Sequence, residues 1–254
     1  MNEKSFDDIR IAKGYANRPW LHKKAIERVY EDTGRSGFCN GLDVGCGAGL
    51  STKALKLICN HVTGTDISPA MVDVCKILYP QKNFSFFVNS GDKNRLPEKP
   101  YDIVTAAGMI NWVDRESFLE NMNNIMSKNG LLLIYDFGIT DRMCDTAEYT
   151  KWYRETYLKN FPKPFRKENI WTQADVGKCF HIIKQISYEM TYSFSLENFV
   201  EFMSIQSNVN EKINDGQISE QQAKAWLRET LEPIFKDLNR TLIFKGYSWY
   251  LCKA

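Results

Sequence analysis

The sequence lacks long apolar runs and lacks an excess of charge of either sign. No stretch approaches the roughly 18 apolar residues that a membrane-spanning helix needs. Lys and Arg number 33 and Asp and Glu 31, a net charge of +2 that argues against a nucleic-acid or membrane partner. The opening residues, MNEKSFDDIR, are polar and acidic, unlike a signal peptide. We therefore expect a cytoplasmic protein that binds neither nucleic acid nor membranes.

The cysteines and histidines lack the spacing of a metal site or a disulfide framework. Seven cysteines are present, an odd number, and no two of them form a C-x-x-C pair. The three histidines, His22, His61 and His181, lie near none of them at ligand spacing. We therefore expect no bound metal and free thiols in a reducing compartment.

Repeats, low-complexity stretches and linkers rich in Pro, Gly or Ser are also missing. The 254 residues fall between one and two average domains, and a single α/β domain commonly has this length. We therefore predict one domain over residues 1–254. Aromatic residues make up 13% of the chain, which is high.

Short apolar segments alternate with amphipathic ones over the first 140 residues. This alternation is typical of βαβ units, in which helices cover both faces of a parallel sheet. The expected helices span residues 20–32, the segment from Leu50, 69–78 and 115–126. The expected strands span residues 41–44, 61–67, 83–89, 101–107 and 129–137.

The remainder of the chain has a different pattern. Residues 141–180 are predicted helical and are rich in aromatics, 196–207 and 219–238 are further helices, and 181–195 and 240–254 are strands. Together these elements predict a doubly wound, Rossmann-like, seven-stranded and mostly parallel sheet with an antiparallel edge strand. Within it we expect N-terminal cap helices (1–34), a cofactor-binding half (35–140) and a helical cover over a substrate pocket (141–180 and 195–239).

A glycine cluster directly after the first strand is the most informative motif. Gly45, Gly47 and Gly49 allow a sharp turn and a close approach of a ligand to the backbone. Asp66 ends the second strand 21 residues after Gly45, the offset at which an acid accepts hydrogen bonds from ribose hydroxyls. Leu50 stands where a dinucleotide fingerprint has its third glycine, which favours S-adenosylmethionine (SAM) over NAD.

The chain resembles class I SAM-dependent methyltransferases, specifically the small-molecule type 11 branch that includes trans-aconitate methyltransferase-like enzymes. The motifs that carry the resemblance are YANRP (15–19), LDVGCGAG (42–49), GTDIS (64–68), SGDKNRLP (90–97), YDIVTAAGMINWVD (101–114) and NGLLLIYDF (129–137). The resemblance implies that SAM binds, and S-adenosylhomocysteine forms, at Tyr15, Arg18, Asp43, Gly45, Cys46, Gly47, Asp66, Ile67, Met71, Asp92, Lys93 and Ala106.

No residue stands out as catalytic. Asn111 occupies the place where many members of the branch have histidine. Asp136 and Tyr135 at the end of the fifth strand are candidates, with a loop or capping role for Asp136 equally open. A base at His22 is a weaker hypothesis than a solvated helix histidine, and core packing is favoured over a pocket role for Trp112.

The predicted function is methyl transfer from SAM to a small organic acceptor, by a monomer or homodimer. A SAM-binding protein without catalysis and an NAD-dependent oxidoreductase are the alternatives from other classes. The aromatic residues from Tyr149 to Trp171 have the spacing of a pocket lid and equally that of a buried helix face.

Overall fold

A computed structural model describes residues 9–91, 100–163 and 171–254, and in it seven strands form one sheet. The order across the sheet is β3-β2-β1-β4-β5-β7-β6, in agreement with the seven strands predicted. The strands β1 to β7 are Phe38–Val44, Cys59–Asp66, Phe84–Val88, Tyr101–Ala107, Met126–Met143, Phe180–Phe194 and Arg240–Lys253.

The first five strands pair in parallel, as the βαβ pattern predicted. Val44 at the end of β1 lies beside Thr65 of β2 on one side and Ala106 of β4 on the other. The strand order reverses at β1, since β2 and β3 lie to one side of it and β4 to the other. In open α/β sheets the crevice outside the carboxyl ends of the strands at such a reversal is the usual ligand site.

Antiparallel pairing is confined to the β5–β7–β6 side of the sheet. β7 lies between β5 and β6 and runs antiparallel to both, with Asp136 of β5 opposite Tyr247 of β7. The predicted mostly parallel, Rossmann-like fold is therefore confirmed, and its antiparallel member is β7, one strand in from the edge.

Helices cover both faces, and none in the described part of the chain is long and apolar enough to cross a membrane. A π-helical segment (Trp152–Tyr157) joins α6 to α7. The helices α1 to α10 are Ile9–Ala16, His22–Thr33, Leu50–Leu55, Pro69–Leu78, Arg115–Ile125, Glu148–Lys151, Leu158–Asn160, Leu196–Ser204, Ser207–Asn214 and Glu220–Phe235.

Both ends of β5 differ from the sequence-based expectation. α5 ends at Ile125 and the chain passes directly into β5, which begins at Met126 and not at the predicted residue 129. Asn129 instead adopts a left-handed conformation, φ 62°, where the β4–β5 register shifts. β5 then continues to Met143, because β7 provides a partner strand along that length. The helix α9 was not predicted.

The aromatic run belongs to the core. Tyr149, Trp152, Tyr153, Tyr157 and Phe161 are each at most 5% exposed and pack in one cluster with α8 and α10. Trp171 is buried in a second cluster against β4 and β5, and Phe165 lies outside the described residues. The spacing of this run therefore reflects a buried helix face, and the run carries no information about the ligand.

Candidate active site

A cavity of about 660 Å³ opens at the carboxyl ends of the central strands. Gly45 follows β1, Asp66 ends β2 and Gly108 follows β4, and all three line it. The start of α2, the middle of β5 and the α8–α9 junction complete its wall. The volume lies within the roughly 300–1,000 Å³ of small-molecule sites.

The glycine turn that borders this cavity requires glycine at two positions. Gly45 and Gly47 have φ of 69° and 52°, in the left-handed region that disfavours side chains. A Cβ on Gly45 would lie 2.6 Å from the Cβ of Met109, whereas one on Gly47 would meet only Tyr15, at 3.8 Å. The backbone at Gly47 is therefore open to a ligand.

Asp66 connects the end of β2 to this turn. Its Oδ2 accepts a hydrogen bond from the Gly47 amide at 2.8 Å, and its Oδ1 accepts one from the Ser68 amide at 2.9 Å. Burial raises the pKa of Asp66. Ser68 caps α4 by accepting from the Met71 amide, so Asp66 is free of the capping role. A carboxylate has about four acceptor positions, so this one retains capacity for ligand hydroxyls.

Asp43 lies beneath the turn and does not line the cavity. Its carboxylate is fully buried and accepts hydrogen bonds from the hydroxyls of Ser51 (2.6 Å), Thr52 (2.7 Å) and Thr105 (2.8 Å). Burial raises its pKa to about 6, although these three donors favour the charged form. Here Asp43 ties α3 and β4 to β1, and a contact with the cofactor stays a prediction.

Tyr15, in the last turn of α1, and Arg18, just after that helix, border the cavity. The Arg18 guanidinium lies 3.6 Å from the centre of the Tyr15 ring and donates to the Ile205 carbonyl at 3.3 Å. Its Nε is buried and makes no hydrogen bond within the described chain. A buried N–H of a cation without an acceptor fits a ligand that brings an anionic group, such as the carboxylate of SAM.

The structure brings most of the predicted cofactor residues together. Ala106 is buried within β4 and does not face the cavity, and Asp92 and Lys93 lie outside the described residues. Eight of the twelve line the cavity: Tyr15, Arg18, Gly45, Cys46, Gly47, Asp66, Ile67 and Met71.

His22 is a cavity residue that the sequence analysis considered but disfavoured. It is the first residue of α2 and lines the cavity. Its Nδ1 atom lies 2.9 Å from the hydroxyl oxygen of Tyr135. Burial, with a contribution from the positive charge of Arg18, lowers its pKa to about 3. The expectation of a solvated helix histidine is wrong, because His22 lies on the side of α2 that faces the sheet and contacts Tyr135 of β5. His61 and His181 are exposed.

The remaining candidates also line the cavity. Trp112 is 42% exposed there, so the expectation of core packing is wrong. Asp136 accepts from the Phe137 amide at 2.8 Å and from the Tyr247 hydroxyl at 3.5 Å. No group of three or more His, Cys, Asp or Glu that could hold a metal occurs among residues 9–91, 100–163 and 171–254.

The α8–α9 junction supplies a further wall that sequence analysis missed. Phe202, Gln206, Ser207 and Asn208 line the cavity from it. No motif marks these residues, because the junction reaches the cavity only through the packing of α8 against α10 and β6.

Comparison with known proteins agrees with this geometry. Residues 42–134 match the family model of a methyltransferase domain, type 11. A Dictyostelium discoideum protein named as a methyltransferase is 23% identical over 78% of this chain and 76% of its own length. Malonyl-[acyl-carrier protein] O-methyltransferase 1 of Ilyobacter polytropus is 36% identical over 51% of this chain and 50% of its own. A trans-aconitate 2-methyltransferase of Enterobacter sp. (strain 638) is 30% identical over 37% of each chain.

Solved structures share the fold across nearly the whole chain. A type II methyltransferase from Anaeromyxobacter dehalogenans has a TM-score of 0.67 at 15% identity and covers 91% of this chain and 95% of its own. The YcgJ protein of Bacillus subtilis has a TM-score of 0.53 at 13% identity, and the match covers 91% of this chain and 98% of that protein.

The match to the malonyl-[acyl-carrier protein] O-methyltransferases spans about half of their length. For the Bacillus anthracis member it covers 51%.

Residues 42–134 therefore match a methyltransferase domain, and the chain has the fold of solved methyltransferase structures. The predicted family resemblance is therefore confirmed: the chain carries a methyltransferase domain of the type 11 family at residues 42–134. SAM is the methyl donor of this enzyme class, and the eight residues grouped above are suited to hold it.

Proposed function

We propose that the protein transfers a methyl group from SAM to a small organic acceptor. The observation that carries the proposal is one continuous cavity of about 660 Å³ that holds the eight predicted cofactor residues and continues past them. Beyond the glycine turn it is lined by the apolar side chains of Phe137, Ile139, Phe202 and Phe244. A cavity that extends beyond the predicted cofactor residues fits a transfer reaction, in which an acceptor lies beside the cofactor, better than storage of a single ligand.

The cofactor would lie over the glycine turn. Asp66 would accept the ribose hydroxyls, the backbone at Gly47 would approach the methionine part, and Ile67 and Met71 would pack on the adenine. Arg18 would pair with the carboxylate. When bound, SAM supplies a methyl group on a positively charged sulfur. The contribution of the protein is to hold an acceptor in line with that methyl, at near-attack distance.

The acceptor would enter from the β5 and α8–α9 side, and the helices within residues 195–239 would cover it. Relatives with related sequences are named for a malonyl group on a carrier protein and for trans-aconitate, and both names specify compounds with carboxylates. A small acceptor also fits the net charge of the chain. At +2, this charge is too small to attract a polyanion such as a nucleic acid.

We further propose a cytoplasmic location, no nucleic-acid or membrane partner, and a monomer or homodimer. The free cysteines agree with a reducing compartment. Size-exclusion chromatography with light scattering measures the oligomeric state. Tight and salt-sensitive binding of RNA would contradict the proposed partner class.

Calorimetry with SAM and S-adenosylhomocysteine tests the cofactor, and incubation of the protein with radiolabelled SAM and a metabolite extract tests transfer. We expect both ligands to bind and label to appear in a small-molecule fraction. No binding at millimolar ligand would contradict the proposal. Binding without transfer to any fraction would favour a SAM-binding protein without catalysis, and binding of NADH instead would favour an oxidoreductase.

A further inference from the structure

His22 and Tyr135 form a hydrogen-bonded pair in the wall of the cavity. They lie 113 residues apart in the sequence, on α2 and β5, and their Nδ1 and Oη atoms are 2.9 Å apart. Both residues line the cavity, and the centres of the His22 and Phe137 rings are 4.9 Å apart. Phe137 lines the part of the cavity that we assign to the acceptor, so the pair lies next to that part.

The shared hydrogen of this pair belongs to Tyr135. Tyr135 is only 1% exposed, and burial raises the pKa of its hydroxyl well above the usual value, so the phenol keeps its proton. The only hydrogen-bond partner of this hydroxyl in the described chain is His22 Nδ1. A buried hydroxyl without an acceptor is costly, so the Tyr135 O–H donates and Nδ1 accepts.

This direction determines the other nitrogen of the ring. The pKa of His22 is lowered to about 3, so the imidazole is neutral at physiological pH and carries one N–H. With Nδ1 as acceptor, that proton is on Nε2. Nε2 makes no hydrogen bond to any described residue. The cavity wall therefore presents an N–H donor on a ring that stays neutral at physiological pH.

The surrounding groups favour an anion opposite this donor. Arg18 lies close enough for its charge to contribute to the lowered pKa of His22. Lys163 also lines the cavity. The carboxylate of Asp136, the acid at this end, accepts from the Phe137 amide and from the hydroxyl of Tyr247.

We propose that the Nε2–H of His22 donates a hydrogen bond to the nucleophilic oxygen of the methyl acceptor, and that Tyr135 fixes the proton on that nitrogen. The pair then selects acceptors whose nucleophile is an oxygen anion, a carboxylate or a phenolate. This inference rests on the methyl transfer proposed above. A lone pair of the oxygen forms the bond to the methyl carbon while the carbon–sulfur pair returns to sulfur. No proton is released, so no general base is needed.

Nitrogen-15 NMR of histidine-labelled protein tests the proton assignment without turnover. We expect the His22 signals of a neutral ring with the proton on Nε2, unchanged from about pH 5 to about pH 9. His22→Gln assigns the signals by their disappearance, and the exposed His61 and His181 give comparison signals. A proton on Nδ1, or titration of His22 between about pH 5 and about pH 8, would overturn the inference.

Calorimetry with benzoate and 4-nitrophenolate, added to the S-adenosylhomocysteine complex, tests the selection and separates the two anion types. We expect at least one anion to bind and benzyl alcohol to bind more weakly. His22→Leu should lower the affinity for the anion about tenfold, while His22→Gln, whose amide can donate, should retain most of it. Tyr135→Phe should weaken binding as well, and His61→Leu is the matched control.

The affinity for S-adenosylhomocysteine in the same titrations separates two failures. If the wild-type protein does not bind S-adenosylhomocysteine, the proposed function itself fails. If it does, but His22→Leu binds the anion as tightly as wild type, or neither anion binds at millimolar concentration, then only the role of His22 is overturned.

Discussion

The Gly47 amide donates a hydrogen bond of 2.8 Å to the carboxylate of Asp66, which joins the glycine turn after β1 to the end of β2. The two residues are 19 positions apart, near the two ends of the crossover from β1 through α3 to β2. One side chain therefore holds the turn in shape and also presents its remaining lone pairs to the cavity. Loss of this carboxylate should affect both the turn and the ligand.

Asp66→Ala should raise the dissociation constant for SAM about tenfold or more, because charge-assisted hydrogen bonds are worth about 1.5–3 kcal/mol. Calorimetry with SAM measures the change. Asp73→Ala is the matched control, since Asp73 is an exposed acid on the next helix whose side chain is 71% accessible. An unchanged affinity in Asp66→Ala would show that the cofactor lies elsewhere.

Gly45→Ala should destabilise the protein more than Gly34→Ala does. Both glycines have φ of 69°, but an added Cβ meets nothing within 4 Å at Gly34 and the Met109 side chain at 2.6 Å at Gly45. Gly34→Ala should therefore cost about 1–2 kcal/mol from backbone strain alone, and Gly45→Ala about 1–3 kcal/mol more from overpacking. Urea unfolding measures both. Equal losses would mean that Met109 moves aside without cost.

Asp43 should make the folded state less stable as pH rises through the range of its titration. Its pKa is raised from 3.8 to about 6, so between these values the folded state binds more protons than the unfolded state. The buried site favours the protonated carboxyl group of Asp43. The stability that this protonation contributes to the folded state is lost as pH rises to about 6. Over this window the loss is about 3 kcal/mol.

Comparison of wild type with Asp43→Asn isolates this contribution. Unfolding free energies measured from about pH 4 to about pH 7 should give a difference, variant minus wild type, that increases with pH. A difference that stays constant would mean that Asp43 titrates at the same pH in both states. Asp102→Asn, which removes a carboxylate from the opposite end of the sheet, serves as the control.

His22 should produce the opposite trend. Its pKa is lowered from 6.5 to about 3, so the unfolded state binds the proton first as pH falls below about 6.5. Stability from the neutral ring is therefore present above the unfolded value and is lost as pH falls towards about 3. His22→Gln should be less sensitive to acid than wild type, by up to about 1.4 kcal/mol per pH unit. Equal sensitivity, with His181→Gln as the control, would contradict a buried neutral ring.

The sequence-based predictions were confirmed where the spacing of residues along the chain determines the local structure. The parallel strand pattern predicted the sheet, and the glycine turn with Asp66 predicted the cavity edge, since both depend on local spacing. The interpretation of Trp112 was wrong because its exposure depends on which neighbours pack against it. The aromatic run from Tyr149 could not be assigned, because a buried face and a pocket lid have the same helical period.

The sequence by itself determined the class of the protein. The order of apolar segments, the three glycines after the first strand and the acid 21 residues after Gly45 are all recognised from spacing along the chain. Together they imply a nucleotide-type cofactor on a doubly wound sheet. The tertiary structure alone decided that His22 meets Tyr135 across 113 residues and that Asp43 is enclosed by three hydroxyls. Burial and the proton on a ring nitrogen depend on contacts between distant segments, and no local pattern encodes those contacts.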